Sequence, residues 1–195
     1  MAAIVGTVFL AINKGGDAGR LAPYLIFGVS MTLLLSASAV YHLVTGPKKL
    51  IQICHIIDHC MIYVLIAGTY TPVVSFVFTG RLKLGYIIGV WVFALCGIII
   101  KAFLTGRFRT LSTIIYLIMG WSIIFAVVPL FKLMNTYGIV LLLVGGAFYT
   151  IGGIIYAAKK PNLFREFGFH ELFHIFILLG ALSHYFMVYF FLADI

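Results

Sequence analysis

The sequence predicts an all-α fold: one integral-membrane domain of seven helices spread over residues 1–195. Three observations carry that prediction. Hydrophobic residues make up 64% of the chain and charged residues 9%, whereas a soluble domain carries about 25% charged residues to clothe its surface. Mean hydropathy is +1.19, so the solvent this chain is built for is lipid. Apolar stretches recur along the whole length, and all but the first are long enough to cross a hydrocarbon core, which takes about 20 helical residues.

Taken in order, the first stretch, Met1–Ile12, is too short to span. It has no basic flank before it, as a signal peptide would. It reads as the end of a first transmembrane helix whose start lies outside this chain. Leu21–Val44, Leu50–Phe78, Leu84–Leu104, Leu111–Phe131, Tyr137–Ala158 and Phe169–Leu192 supply helices two to seven. Each run is apolar on all sides, without the alternation that marks a lipid-facing barrel strand. The 20 glycines suit close helix packing in a bilayer. Pro72 and Pro129 are expected near helix ends or kinks, where neighbours satisfy the freed carbonyls. Lys101 stands close to the end of its stretch, where its stem can reach the interface. All connections are short, which leaves no room for a second domain.

The net charge is +8, yet nothing points to nucleic acid. The 13 Lys and Arg lie in or beside the short connections, and no basic stripe follows one face as a nucleic-acid groove requires. They orient the chain instead. Lys48, Lys49, Lys101, Arg107, Arg109, Lys159, Lys160 and Arg165 flank the connections after helices two, four and six. Lys14, Arg20, Arg81, Lys83 and Lys132 flank those after one, three and five. The richer set belongs in the cytoplasm, which places the N-terminus inside and the C-terminus outside. Cys54, Cys60 and Cys96 form no CxxC pattern, and an odd count argues against a disulfide framework.

Ionisable groups inside lipid are costly and each calls for an explanation. Helix two closes with Ser38 and His42, four apart on one face. Helix three opens with His55, Asp58 and His59, and helix seven with His170, Glu171 and His174. Because successive spans alternate in direction, His42, Asp58, His170 and His174 all fall near the same membrane face. An HxxxH pair alone is a weak signal, since two histidines four apart also serve as interfacial anchors. Its coincidence in depth with His42 and Asp58 is what points to a metal. Three imidazoles plus a water make a catalytic zinc set with an open position, and Asp58 and Ser38 can engage that water or a substrate carbonyl. His55 and His59 form a rival pair that could replace a ligand or support one from behind. His184 reads as a hydrogen-bonded packing residue, and Glu171, about 100° around the helix from His170, as a solvated one.

At these residues the sequence resembles the hemolysin III family, the bacterial branch of the progestin and adiponectin receptor superfamily. Ser38-x3-His42, Asp58-His59, Gly68-Thr-Tyr-Thr-Pro72 and His170-x3-His174 match its pattern in order, and the likeness covers essentially the whole chain. The resemblance implies a multi-pass protein of the bacterial plasma membrane with a cytoplasmic N-terminus. It also implies Zn2+ held by His42, His170 and His174, with Asp58 and Ser38 near the metal-bound water. Family members normally carry a fuller first helix, and His55 is not part of the family pattern.

Three functions follow as expectations. The leading one is zinc-dependent hydrolysis of a lipid amide or ester within the bilayer, as related receptors and alkaline ceramidases suggest. The second is a cytolytic pore, which needs a polar lumen that no helix offers as a continuous stripe. The third is a sensor of membrane lipid state with structural zinc. In each the partner is a membrane lipid or the bilayer itself, and no nucleic acid is involved.

Overall fold

The structure, a computed structural model, describes residues 1–14, 16, 18–103, 109–162 and 167–192. Leu104, Arg107 and Arg165, which enter the expectations above, lie outside the described residues. The chain forms two compact units, residues 1–107 and 108–195.

The first unit contains α1 (Ala2–Lys14), α2 (Ala18–Leu43), α3 (Lys48–Val77) and α4 (Gly80–Phe103). Each helix packs on the next. α2 and α3 run antiparallel in a register fixed along their length: the tilted rings of Tyr24 and Phe76 have centroids 5.2 Å apart, and Tyr41 meets His55 at 5.2 Å. Between these contacts Gly68 faces Ser30. A Cβ at Gly68 would collide with the Ser30 side chain, and the Ile26 carbonyl oxygen stands 3.4 Å behind it. Only a glycine lets two membrane helices approach this closely. Thr69 and Thr71 donate to the Leu65 and Ala67 carbonyls at 2.8 and 2.9 Å. Pro72 sits within the helix, where it can donate no bond to the residue four back.

α3 and α4 meet in the same antiparallel fashion. Gly97 admits the Tyr63 ring against its backbone, and the Trp91 indole donates to the Thr71 hydroxyl at 3.1 Å. Phe78 leaves α3 in an extended conformation and Gly80 takes φ +60°, a left-handed turn that glycine adopts without steric penalty. The chain thereby reverses into α4 within three residues.

The second unit contains α5 (Arg109–Trp121), a 3₁₀ segment (Ser122–Ala126), α6 (Val127–Leu133), α7 (Thr136–Ala158) and α8 (Phe169–Met187), which ends in a π-helical turn over Val188–Leu192. Residues 110–133 form one continuous helical run. Its 3₁₀ interior has a local cause: Pro129 has no N–H to offer the Phe125 carbonyl, and the backbone tightens ahead of it. The Asn135 side chain accepts from the Tyr137 amide at 2.9 Å and starts α7. Lys159 ends α7 in the left-handed conformation at φ +58°, the usual helix stop. The Trp121 indole donates to the Thr150 hydroxyl at 3.0 Å and ties α5 to α7. Ser183 donates to the Leu141 carbonyl at 2.7 Å and ties α8 to α7.

Among the described residues there are thus seven helical rods, and six of them, 23 to 30 residues long, are long and apolar enough to cross a bilayer. The remaining rod is α1, whose 13 residues match the short first stretch. The outer surface bears the lipid reading out: Phe125 is 80% exposed and Phe103 85%, which water would not tolerate across a whole protein.

Candidate metal centre

In the first unit the polar residues gather where α2 ends and α3 begins. Ser38 is half-buried and His42 exposed at the last turn of α2, while Asp58 and His59 are fully buried on α3. The Ser38 side chain lies beside the Asp58 carboxylate, so the two catalytic candidates of this unit are neighbours. Tyr41 bridges two histidines, with its ring 5.1 Å from His42 and 5.2 Å from His55. His55 and His59 approach at 4.5 Å, edge to face. The i, i+4 spacing brings these rings together as expected for one helical face.

In the second unit α8 begins with the other pair. The Nε2 atoms of His170 and His174 lie 3.1 Å apart. Two imidazole nitrogens bound to one tetrahedral zinc at about 2.0–2.1 Å would stand about 3.3 Å apart. The pair therefore has the bite of a chelate. Aromatic packing holds it there: the Tyr156 ring of α7 lies 5.9 Å from His170 and 4.8 Å from Phe173, which in turn contacts His174 at 5.2 Å. Glu171 is not simply solvated, as its position suggested. Its carboxylate accepts from the Gly168 amide at 2.9 Å, satisfying one of the orphan donors at the start of α8. It fixes the first turn, and with it the direction of His170.

Other residues take structural places. His184 is buried, with Nε2 donating to the Leu142 carbonyl at 3.2 Å and its ring 5.2 Å from Tyr149, in keeping with a packing role. Cys54 and Cys60 are buried free thiols and Cys96 is exposed. The Gly68–Pro72 segment shapes the α2–α3 contact and carries no ligand. Lys101 departs from expectation: it does not reach outward but is only 5% exposed. The signal was present in α4, whose buried residues are Val90, Ala94, Gly97 and Lys101, one stripe at helical spacing.

Neutral imidazole nitrogens are the donors zinc favours, and the described residues include histidine groups that could hold a metal ion. Comparison with known proteins agrees with this picture. The profile of the family described as "Haemolysin-III related" matches residues 1–185. The chain is similar to a hemolysin-3 homolog of Bacillus subtilis (strain 168), 41% identical over 193 residues, covering 99% of this chain and 87% of the relative. It is 38% identical to hemolysin-3 of Bacillus cereus over 179 residues, 92% and 79% of the two chains. A more distant likeness, 26% over 191 residues, covers 96% of this chain and 77% of the human monocyte to macrophage differentiation factor. The matched length, the identities to the two Bacillus proteins and the six spans lead to one conclusion: this is a multi-pass membrane protein belonging to the haemolysin-III-related family.

Proposed function

We propose that the protein is a zinc-dependent hydrolase that cleaves an amide or ester bond of a membrane lipid. The observation that carries this reading is the 3.1 Å separation of the His170 and His174 nitrogens, which supplies two of the three ligands of a catalytic zinc set. His42 is the third ligand in this reading. Its support is the alternation of spans, which returns the chain to one membrane face at both the end of α2 and the start of α8. The N-terminus is cytoplasmic by the distribution of Lys and Arg, so that face is the inner one.

Bound zinc would supply Lewis acidity and a water ionisable near neutral pH. The rest falls to the chain's own residues. Asp58 takes the proton from the attacking water and returns it to the leaving amine or alkoxide. Ser38, beside Asp58, offers its hydroxyl proton to the carbonyl oxygen as charge develops there. The lipid substrate presents its headgroup linkage from the bilayer, at the depth where the helices begin and end.

The test is metal analysis and turnover measured together on purified protein. Wild type should hold one zinc and hydrolyse at least one member of a ceramide and acyl-lipid panel. His42→Ala, His170→Ala and His174→Ala should lose both properties, and Asp58→Asn should lose turnover alone. Zinc retained by all three histidine variants, or a zinc-loaded wild type inert on the whole panel, would overturn the proposal. The name of the Bacillus cereus relative, hemolysin-3, favours a second reading, cytolysis. Dye release from liposomes that persists in His170→Ala would support it.

A further inference from the structure

A lysine buried in an apolar helix is the least expected residue in the first unit. Along α4 the inward stripe runs Val90, Ala94, Gly97, Lys101, and the last place, where the pattern calls for another small or apolar side chain, is taken by a charge. An unpaired ammonium in lipid or in a packed helical interior is strongly unfavourable.

The register of α3 on α4 says what it meets. Tyr63 lies against Gly97, and the Cys60 thiol donates to the Ile98 carbonyl at 4.0 Å. The helices are antiparallel, so one turn beyond Gly97 along α4 corresponds to one turn before Tyr63 along α3. Lys101 therefore comes level with Asp58 and His59, both 0% exposed. Coulomb attraction from Lys101 acts on the Asp58 carboxylate. On its other side, the α2–α3 register brings Ser38 to the same carboxylate.

We propose that Lys101 is the charge partner of Asp58, a positioning residue that compensates the buried carboxylate and fixes its orientation together with Ser38. Asp58 thus sits between a hydroxyl from α2 and an ammonium from α4. Three helices of the first unit converge on one side chain. The consequence for proton transfer rests on the hydrolase reading above, but the pairing does not, and it is testable without turnover.

The experiment is a double-mutant cycle on thermal unfolding in detergent, with the full chain throughout. Lys101→Met keeps the length of the stem and removes the charge, stranding the carboxylate, and should lower the midpoint by on the order of 5–10 °C. Lys101→Arg should recover most of that loss. Lys101→Met/Asp58→Asn should unfold above Lys101→Met alone, because the stranded charge has been removed with its partner. Additive shifts in the cycle, or a Lys101→Met protein as stable as wild type, would overturn the pairing. If Lys101→Met yields no folded protein, recovery of folded protein in the double variant supports the pairing and failure to recover it counts against it. Turnover by Lys101→Arg but not Lys101→Met, on any substrate found for the wild type, extends the pairing to catalysis. A wild type inert on every substrate tried, beside an intact thermal coupling, would instead place the fault in the hydrolase reading.

Discussion

Replacing His174 with alanine gives the most direct measure of the centre. The substitution leaves His170 as the sole imidazole of the α8 pair, abolishing the 3.1 Å bite. Zinc held by four protein ligands in small structural sites is bound with about 10–16 kcal/mol, or roughly 2.5–4 kcal/mol per ligand. Losing one should weaken binding by about 10²–10³-fold. At a free zinc concentration about 100-fold above the wild-type dissociation constant, binding stabilises the fold by about 2.7 kcal/mol. That corresponds to about 5–11 °C in a chain of this size. His174→Ala should forfeit nearly all of that zinc-dependent increment while its metal-free midpoint stays close to wild type. The assay is thermal unfolding in zinc-buffered detergent with and without chelator, paired with elemental analysis of the dialysed protein. His184→Ala serves as the control, since that ring bonds a backbone carbonyl on α7. The reasoning is refuted if His174→Ala keeps a full equivalent of zinc, or if chelation shifts it as much as wild type.

Further outcomes follow from other contacts. Asp58→Asn should retain zinc and lose about 10²–10⁴-fold in turnover on any lipid amide or ester that the wild type cleaves; unchanged kinetics would remove Asp58 from proton transfer. Glu171→Ala removes the acceptor of the Gly168 amide and should cost about 1 kcal/mol, seen as a fall of about 2–4 °C in thermal midpoint. Gly68→Leu should be among the most damaging changes in the first unit. The new side chain meets Ser30 with a backbone carbonyl behind it, an overpacking cost of at least about 1–3 kcal/mol, measurable as lost folded yield in size-exclusion chromatography. Ser30→Gly in the same chain should recover part of it.

The spans were legible because lipid leaves a chain few options: every backbone group must bond internally, so an apolar run of sufficient length is a helix. The i, i+4 pairs were legible for the same geometric reason, and His170 with His174 and His55 with His59 lie as their spacing implies. What escaped was direction within a helix. Lys101 near the end of an apolar run reads as a side chain reaching for water. Only its phase against Gly97 and Ala94 shows that it turns inward. Glu171 shows the converse: it turns away from the histidine pair, but toward the Gly168 amide at the start of its own helix. The short 3₁₀ segment had a partial signal in Pro129, without any sequence marker for its extent.

That segment has a mechanical consequence. A 3₁₀ residue rises about 2.0 Å and turns 120°, against about 1.5 Å and 100° in an α-helix. Over the five residues Ser122–Ala126, the rod gains about 2.5 Å and its two ends are twisted about 100° out of phase relative to a continuous α-helix. Tyr116 and Met119 before the segment, and Leu130 and Met134 after it, are all buried. In a continuous α-helix these four positions would already lie within about 60° of one another. The overwinding turns Leu130 and Met134 about 100° further round the axis than Tyr116 and Met119. One span thus buries different flanks at its two ends, and relaxing Ser122–Ala126 to regular α-geometry would bring both sets onto a single stripe.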